Sequence, residues 1–233
     1  MRPVAVVTGA AGGIGSATCD VLEGCGWEVV AVDRRPVERA RALRVDITDA
    51  GSVAASLEAL PRIDGLVNNA AVQLHKPLLA TSVEEWDSVA AINLRGAFTC
   101  LKACHRQLAE AGGSVVNVAS VHALATSRSI AAYAASKGGL AAFTRAAAIE
   151  LGPLVRVNAV LPGAVETPAL RAGFSREPDA ERTLIERTPL SRVGQAPEIG
   201  EAIAFLLDSK RAAFITGQEL VVDGGALARL STE

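Results

Sequence analysis

The sequence has 233 residues, of which 50% are hydrophobic and 3% aromatic, and its formal net charge is −2. This length suits a single domain spanning residues 1–233, and the dispersed charges exclude the basic block that a nucleic-acid or anionic-membrane partner would need. We find no apolar stretch of the ~20 residues that a membrane span requires, no cleavable leader and no metal-binding Cys/His spacing, so we expect a cytoplasmic protein without a metal.

Short apolar runs alternate with longer amphipathic segments along the chain, a pattern typical of βα units and a mainly parallel sheet. Ser82 and Glu85 match a capping box at the start of one intervening helix, and Pro197 begins another that runs to Leu207. The sequence therefore predicts an α/β fold whose seven strands are Val4–Val7, Glu28–Val32, Leu43–Asp46, Gly65–Asn68, Ser114–Ala119, Arg156–Leu161 and Glu219–Val222.

A glycine-rich turn follows the first predicted strand and opens the first helix. Its glycines are Gly9, Gly12, Gly13 and Gly15, a spacing that differs from the usual GxGxxG. Glycines let the backbone approach a pyrophosphate, and the helix N-terminus offers unpaired N–H groups. Asp33 closes the second strand, where an acidic side chain meets adenosine ribose hydroxyls. These features predict a dinucleotide site.

Two segments depart from the regular alternation. Between Asp33 and Val45 there is room for little more than one helical turn, close to the minimum of roughly 10–12 residues for a parallel crossover. The segment from Pro168 to Thr188 follows the sixth strand and is rich in Arg, Glu and Ala. We expect this lid segment, residues 168–188, to form one or two short helices over the substrate.

Tyr133 and Lys137 are four residues apart, a spacing that places both side chains on one face of a helix. An ammonium close to a phenol favours the phenolate, so we expect Lys137 to lower the pKa of Tyr133. A tyrosine tuned in this way can donate and accept a proton near neutral pH. Ser120 lies thirteen residues before Tyr133 and completes a candidate catalytic group.

The glycine turn, Asn68 to Ala71, Asn93, Ser120, the Tyr133–Lys137 pair and Pro162–Gly163 occur together in a defined order. In this order and spacing the chain closely resembles the short-chain dehydrogenase/reductase family, from Val4 to Gly225. The resemblance implies a Rossmann fold with a seven-stranded parallel sheet in the order 3-2-1-4-5-6-7 and helices on both faces. It also implies NAD(P) binding and hydride transfer at a carbonyl or alcohol carbon.

The resemblance also implies roles for four catalytic residues. Tyr133 would exchange the proton with the substrate oxygen, and Lys137 would hold the nicotinamide ribose. Ser120 would hydrogen-bond the substrate oxygen. The backbone carbonyl of Asn93 would hold a water that links Lys137 to solvent; alternatively, Asn93 marks a kinked helix in which its side-chain amide is satisfied.

The cofactor residues follow from the same resemblance. Asp33 can accept bonds from both ribose hydroxyls and would repel a 2′-phosphate, whereas Arg34 and Arg35 could pair with one, so we expect NAD, with NADP the weaker alternative. The residues implied to contact it are Gly9, Gly12, Gly13, Ile14, Gly15, Asp33, Arg34, Asp46, Ile47, Asn69, Ala70, Ala71, Tyr133, Lys137, Pro162, Gly163, Val165 and Thr167.

The substrate would meet Ser120 and Tyr133, and two further residues are candidates. His122 follows Ser120 by two positions and either faces the substrate or is solvated and locally bonded. Phe174 in the lid segment either covers the substrate or anchors the lid.

The best hypothesis is oxidation of a small secondary alcohol or reduction of its ketone, with cyclic diols and dihydrodiols favoured. The alternatives are a 3-oxoacyl-thioester reductase of the acyl-carrier-protein type and a non-catalytic NAD(P)-binding regulator.

Assembly is predicted from resemblance together with composition. Relatives commonly pair their long helices into tetramers, and the Ala-rich stretch Ala141 to Leu151 is apolar on more than one face. We therefore expect a homotetramer or a homodimer.

The four cysteines have no partners at metal-finger spacing and fit a protein whose thiols are reduced: Cys19, Cys25, Cys100 and Cys104.

Overall fold

A computed structural model describes residues 2–174 and 178–229 of the chain. Its strands are β1 Val4–Thr8, β2 Glu28–Asp33, β3 Ala42–Arg44, β4 Gly65–Asn68, β5 Ser114–Val118, β6 Arg156–Pro162, β7 Val165–Glu166, β8 Gly194–Gln195 and β9 Glu219–Val222. Seven of them form a parallel sheet in the order β3-β2-β1-β4-β5-β6-β9, and β7 pairs with β8 separately. The predicted sheet order is confirmed, with β9 as its seventh strand.

The helices are α1 Gly13–Gly24, α2 Ala50–Leu57, α3 Val83–Ala90, α4 Gly96–Ala111, α5 Ala131–Leu151, α6 Pro168–Phe174, α7 Pro178–Arg187 and α8 Ala196–Leu207. A capping box formed by Ser82 and Glu85 starts α3, and Pro197 lies in the first turn of α8, as predicted. Within residues 2–174 and 178–229, no helix is both long and apolar enough to span a bilayer.

The sheet is covered by helices on both faces. Along β1, Val4 and Val6 pack into one apolar core with residues of α2, α4 and α5, whereas Ala5 and Val7 pack into a second core with residues of α1 and α8. Side chains alternate between the two faces of a strand, so a strand buried on both faces must be apolar at every position. The valine-rich strands of this chain meet that requirement, and their carboxyl ends are thereby held at one edge of the sheet.

The crossover from β2 to β3 differs from its prediction. Residues 34–41 form no helical turn, and β3 ends at Arg44, so Asp46 lies beyond the strand. Arg39 fixes this irregular segment to α1: its guanidinium donates to the Ser16 carbonyl at 2.9 Å and pairs with Asp20 at 2.7 Å. Arg39 therefore attaches this segment to α1, a contact that a helix would provide in a longer crossover.

The lid segment contains α6 and α7, in agreement with the prediction of one or two short helices. Residues 175–177 of the predicted lid lie outside the described residues. No residue of α6 is buried, and Arg171 on this helix pairs with Glu166 of β7 at 2.6 Å. The first half of the segment is thus attached to the body near the end of β6.

Candidate active site

The carboxyl ends of β1, β2 and β4 surround a cavity of about 430 Å³. The predicted cofactor residues that line it are Gly9, Gly12, Gly13, Ile14, Gly15, Asp33, Arg34, Asp46, Ile47, Asn69, Ala70, Ala71 and Thr167. Tyr133, Lys137, Pro162, Gly163 and Val165 are not among its lining residues. Arg35, which the sequence analysis considered as a partner of a 2′-phosphate, also lines it. The structure adds residues that the sequence analysis did not name as cofactor contacts: Ala11, Val32, Val45, Val72, Ile92, Pro168 and Ala169.

The glycine-rich turn is built to approach a ligand closely. Gly9 has φ +69°, and a Cβ there would lie 2.7 Å from the Ala70 Cα. A Cβ on Gly15 would collide with the Gly9 carbonyl, so neither position accepts a side chain. Gly12 begins α1 without a side-chain cap, and this helix end borders the cavity. An uncapped N-terminus bordered by glycines fits the pyrophosphate of a dinucleotide.

Asn69 and Thr8 hold this turn in place. The Asn69 amide donates to the Thr8 carbonyl at 2.9 Å and to the Gly9 carbonyl at 3.2 Å. The Thr8 hydroxyl accepts the main-chain N–H groups of Asn69 and Ala70 at 3.0 and 3.1 Å. Asn69 therefore lines the cavity and also sets the shape of the glycine turn.

Asp33 is 8% exposed at the end of β2, on the rim of the cavity. Its Oδ2 accepts the Ala11 N–H at 3.0 Å, and its Oδ1 accepts the Arg35 N–H at 2.9 Å. The Arg35 guanidinium lies 3.5 Å from the same carboxylate and is largely exposed. The predicted ribose-binding carboxylate is thus fixed in orientation, with the two arginines that could favour a phosphate beside it.

The turn after β6 reaches the cavity through Thr167. Pro162 ends β6 and Val165 lies in β7, while the Thr167 side chain is so close to α1 that a Cβ on Gly13 would lie 2.9 Å from it. The Thr167 hydroxyl accepts the Leu170 N–H at 3.2 Å and caps α6. Thr167 therefore joins the lid segment to the glycine turn at the edge of the cavity.

Tyr133 and Lys137 lie on one face of α5, as their spacing predicts. The Lys137 Nζ is 5.6 Å from the centre of the Tyr133 ring and donates to the Val118 carbonyl at 2.7 Å. Lys137 and Ser120 are 2% and 6% exposed. The carboxyl end of β5 and the first turns of α5 therefore lie together, and they bury Ser120 and Lys137 there.

The expected effect of Lys137 on Tyr133 is wrong for the protein without ligand. Burial raises the pKa of Tyr133, and a hydrogen bond with Ser120 opposes that rise only in part. Burial also lowers the pKa of Lys137 to about 7. A pKa of about 7 leaves Lys137 only partly charged near neutral pH, so its charge does not offset the burial of the phenol.

Asn93 lies in a π-helical turn, Ala91–Arg95, between α3 and α4. Its amide oxygen accepts the Val72 N–H at 2.8 Å, and its nitrogen donates to the Val72 carbonyl at 2.9 Å and to the Ser136 hydroxyl at 3.0 Å. Ser136 in turn donates to the Tyr133 carbonyl at 2.7 Å. The interpretation of an irregular helix with a satisfied amide is confirmed, whereas the water relay through the Asn93 carbonyl stays a prediction. Sequence reasoning missed Ser136, although its place one residue before Lys137 was a signal.

Of the two weaker substrate candidates, His122 is the one in contact with the catalytic group. Its ring centre lies 5.8 Å from that of Tyr133, with the rings at 77°. Its main-chain N–H donates to the Ser120 hydroxyl at 3.2 Å. Phe174 ends α6 and is half-buried. Its role in the lid stays a prediction.

Comparison with known proteins agrees with this geometry. Residues 9–226 match a family model described as enoyl-(acyl carrier protein) reductase. The chain is 38% identical to a cyclopentanol dehydrogenase of Comamonas sp. (97% of each chain) and 39% identical to a cis-4-hydroxycyclohexanecarboxylate dehydrogenase of Sinomonas cyclohexanicum (97% and 96%). It is also 36% identical to a 3-oxoacyl-[acyl-carrier-protein] reductase of Synechocystis sp. (95% and 96%).

Solved structures show the same architecture. A ligand-free aldohexose dehydrogenase of Thermoplasma acidophilum superposes with a TM-score of 0.94 at 30% identity, covering 99% of this chain and 96% of the other. A provisionally assigned 2-deoxy-D-gluconate 3-dehydrogenase of Agrobacterium tumefaciens, solved with NADP bound, gives 0.91 at 32% identity, covering 97% of each chain.

Proposed function

The chain belongs to the short-chain dehydrogenase/reductase family, and from that premise we propose an NAD-preferring enzyme for small cyclic secondary alcohols, above all diols or dihydrodiols, and their ketones. The observation that carries the proposal is the grouping of the half-buried Tyr133 with the buried Ser120 and Lys137, beside a cavity that fits a dinucleotide. The coarser statement, an NAD(P)-dependent oxidoreductase acting on secondary alcohols, follows from the family and from its named dehydrogenases.

A bound nicotinamide would supply the site that accepts or donates the hydride. The chain's own residues handle the proton and the oxygen. The Tyr133 phenol, whose pKa is raised by burial, gives its proton to a carbonyl oxygen in reduction and must lose that proton before it can act as a base in oxidation. Ser120 is oriented by its bond to the His122 N–H and shares the substrate oxygen with Tyr133. Lys137, held by Val118, would bond the nicotinamide ribose.

The cofactor preference is argued from Asp33. Its carboxylate is almost buried and anchored by the Ala11 N–H, so it cannot swing away from an incoming 2′-phosphate. Arg35 offsets part of that repulsion, but its guanidinium is 61% exposed and its field is screened by water. These two observations favour NAD, whereas a structural neighbour solved with NADP shows that the same fold can hold the phosphorylated cofactor.

A 3-oxoacyl-thioester substrate is the second candidate, since the family description and the Synechocystis relative both name acyl-carrier-protein reductases. Such enzymes usually prefer NADP and dock an acidic carrier on basic residues. The anchored carboxylate of Asp33 argues against the first property. A non-catalytic regulator is disfavoured because Ser120, Tyr133 and Lys137 are all retained.

The proposal extends to assembly and location. Phe98, Phe143 and Leu94 line an exposed apolar groove between α4 and α5, and we propose that pairing of these helices contributes to a homotetramer or a homodimer. Light scattering that finds a stable monomer would refute this.

The four cysteines are free, as in a reduced compartment, so we propose a cytoplasmic location.

The experiment that tests the proposal is a substrate screen with both cofactors. Purified protein is assayed with NAD and NADP against cyclic alcohols, cyclic diols, sugars, steroids and 3-oxoacyl thioesters at neutral and alkaline pH. We expect the highest kcat/KM with NAD and a cyclic diol. Highest activity with NADPH and a 3-oxoacyl thioester would favour the second candidate, and binding of NADH without any turnover would favour the regulator.

A further inference from the structure

The imidazole of His122 packs edge to face against the proposed catalytic phenol. The ring centres of His122 and Tyr133 are 5.8 Å apart and the ring planes meet at 77°. His122 is half-buried, and it is the middle residue of the 3₁₀ turn Val121–Ala123 that directly follows Ser120. Any molecule bonded to the Tyr133 and Ser120 hydroxyls must therefore pass close to this ring.

The ring of His122 is held at Nδ1, and its backbone is held by Ser120. Its Nδ1 lies 3.0 Å from the Thr126 hydroxyl, and its main-chain N–H donates to the Ser120 hydroxyl at 3.2 Å. Nε2 has no hydrogen bond from the part of the chain that the structure describes. Nε2 of this half-buried ring is therefore free to bond a polar atom of a bound ligand.

The protonation state of His122 decides which kind of polar atom that is. Burial, with a smaller contribution from nearby His75, lowers the pKa of His122, so the imidazole is neutral at neutral pH. The ammonium of Lys76, next in sequence to His75, is paired with Glu85 at 2.8 Å. A neutral imidazole has one donor and one acceptor nitrogen, and Nδ1 is already bonded to Thr126. Nε2 therefore offers one uncharged hydrogen bond, which suits a hydroxyl or carbonyl oxygen better than an anion.

We propose that His122 determines specificity by hydrogen-bonding, through Nε2, a second oxygen of the substrate on the carbon next to the reacting one. This rests on the proposed function, because the first oxygen is the one that Tyr133 and Ser120 hold. The ring contact with Tyr133 keeps the imidazole near that first oxygen, so a vicinal oxygen is within its reach and a distant one is not. The enzyme therefore favours vicinal cyclic diols and 2-hydroxy ketones over simple cyclic alcohols and ketones.

The test compares cis-1,2-cyclopentanediol with cyclopentanol, two substrates of the same ring size that differ by one hydroxyl. For each variant the ratio of kcat/KM for the diol to kcat/KM for the mono-alcohol is measured. His122→Phe keeps an aromatic ring against Tyr133 but has no polar atom, and we expect the ratio to fall about tenfold. His122→Leu should lower it similarly, and His122→Gln, whose amide can reach the same oxygen, should retain most of the preference.

Two matched controls separate this role from a structural one. Thr126→Val removes the Nδ1 bond and leaves Nε2, and His105→Phe changes an exposed histidine on α4; both should keep the ratio within about threefold of the wild type. An unchanged ratio in both His122→Phe and His122→Leu would overturn the inference while leaving the proposed function intact. A wild type that prefers cyclopentanol would overturn the inference and the proposed preference for diols, but not the oxidation of cyclic secondary alcohols. A wild type that binds NAD but oxidises neither alcohol would overturn the proposed function and the inference together.

Discussion

The cofactor half of the site and its substrate half are built differently. In the cofactor half, Asp33 and Asn69 each make two hydrogen bonds to neighbouring backbone, and the glycine turn between them admits no side chain at Gly9 or Gly15. In the substrate half, α6 has no buried residue, and Leu124 in the loop after Ser120 is 58% exposed. The cofactor half is densely hydrogen-bonded, as expected where every member of a cofactor-dependent family must bind the same group. The substrate half is sparsely packed, so its shape can differ between members that act on different substrates.

The catalytic group lies at the boundary between these halves, and the largest expected effect is found there. Tyr133→Phe removes the hydroxyl that exchanges the proton while keeping the buried ring, so we expect kcat to fall by about 10³-fold. Titration with NADH should show unchanged cofactor affinity. Activity within a few fold of the wild type would contradict the role of the phenol.

How far the sequence predicted this site depends on the kind of constraint. Gly9, Asp33, Tyr133 and Lys137 could be placed because βα units bring strand ends and helix starts to one edge of the sheet. The bonds of Asn93 to Val72 and Ser136 could not, since a π-helical turn between α3 and α4 leaves no periodic signal. The sequence also does not show how far the Tyr133 phenol is removed from water, and because burial raises its pKa the predicted lowering was wrong.

The contrast between the halves predicts that substitution by leucine lowers the free energy of unfolding by different amounts at Asn93 and at Phe174. Asn93→Leu removes the partners of the backbone N–H and carbonyl of the half-buried Val72, so we expect the free energy of unfolding to fall by about 1–3 kcal/mol. Phe174→Leu in the lid should change it by less than about 0.5 kcal/mol but alter kcat/KM for the substrate. Urea denaturation of both variants measures the difference. Equal costs would remove the distinction between the halves.

The anchored carboxylate of Asp33 gives the next effect in size. Asp33→Ala removes the repulsion of a 2′-phosphate and leaves Arg34 and Arg35 in place, so we expect the kcat/KM ratio of NADP to NAD to rise by about tenfold or more. Asp33→Asn, which keeps a carbonyl acceptor for the Ala11 N–H, separates the loss of charge from the loss of the turn's hydrogen bond. If neither variant changes the ratio, the arginines already dominate the choice of cofactor.

The smallest expected effect is a pH dependence of stability. The pKa of Lys137 is lowered to about 7 by burial, from 10.5, so above pH 7 the unfolded chain binds more protons than the folded one. The free energy of unfolding of the protein without ligand should therefore rise by about 1 kcal/mol per pH unit between pH 7 and 8.5. Below the folded pKa this contribution is lost.

The matched variant for that measurement is Lys137→Met, which should lack the rise. Burial also raises the pKa of the Cys19 and Cys100 thiols, which lowers stability at more alkaline pH, but both proteins share that effect. The difference between the two urea curves therefore isolates Lys137. Parallel pH profiles would show that Lys137 is charged in the folded protein at neutral pH, as the sequence alone suggested.

The central claim is that this chain transfers a hydride between a secondary alcohol carbon and a nicotinamide while Tyr133 handles the proton. The most direct test uses the alcohol found in the screen, deuterated at the reacting carbon, with NAD and the wild-type protein, followed by NMR of the reduced cofactor. The account predicts one deuterium at C4 of the nicotinamide, and none when Tyr133→Phe is used for the same time. Reduced cofactor without deuterium, or the same deuterium incorporation with Tyr133→Phe, would contradict it.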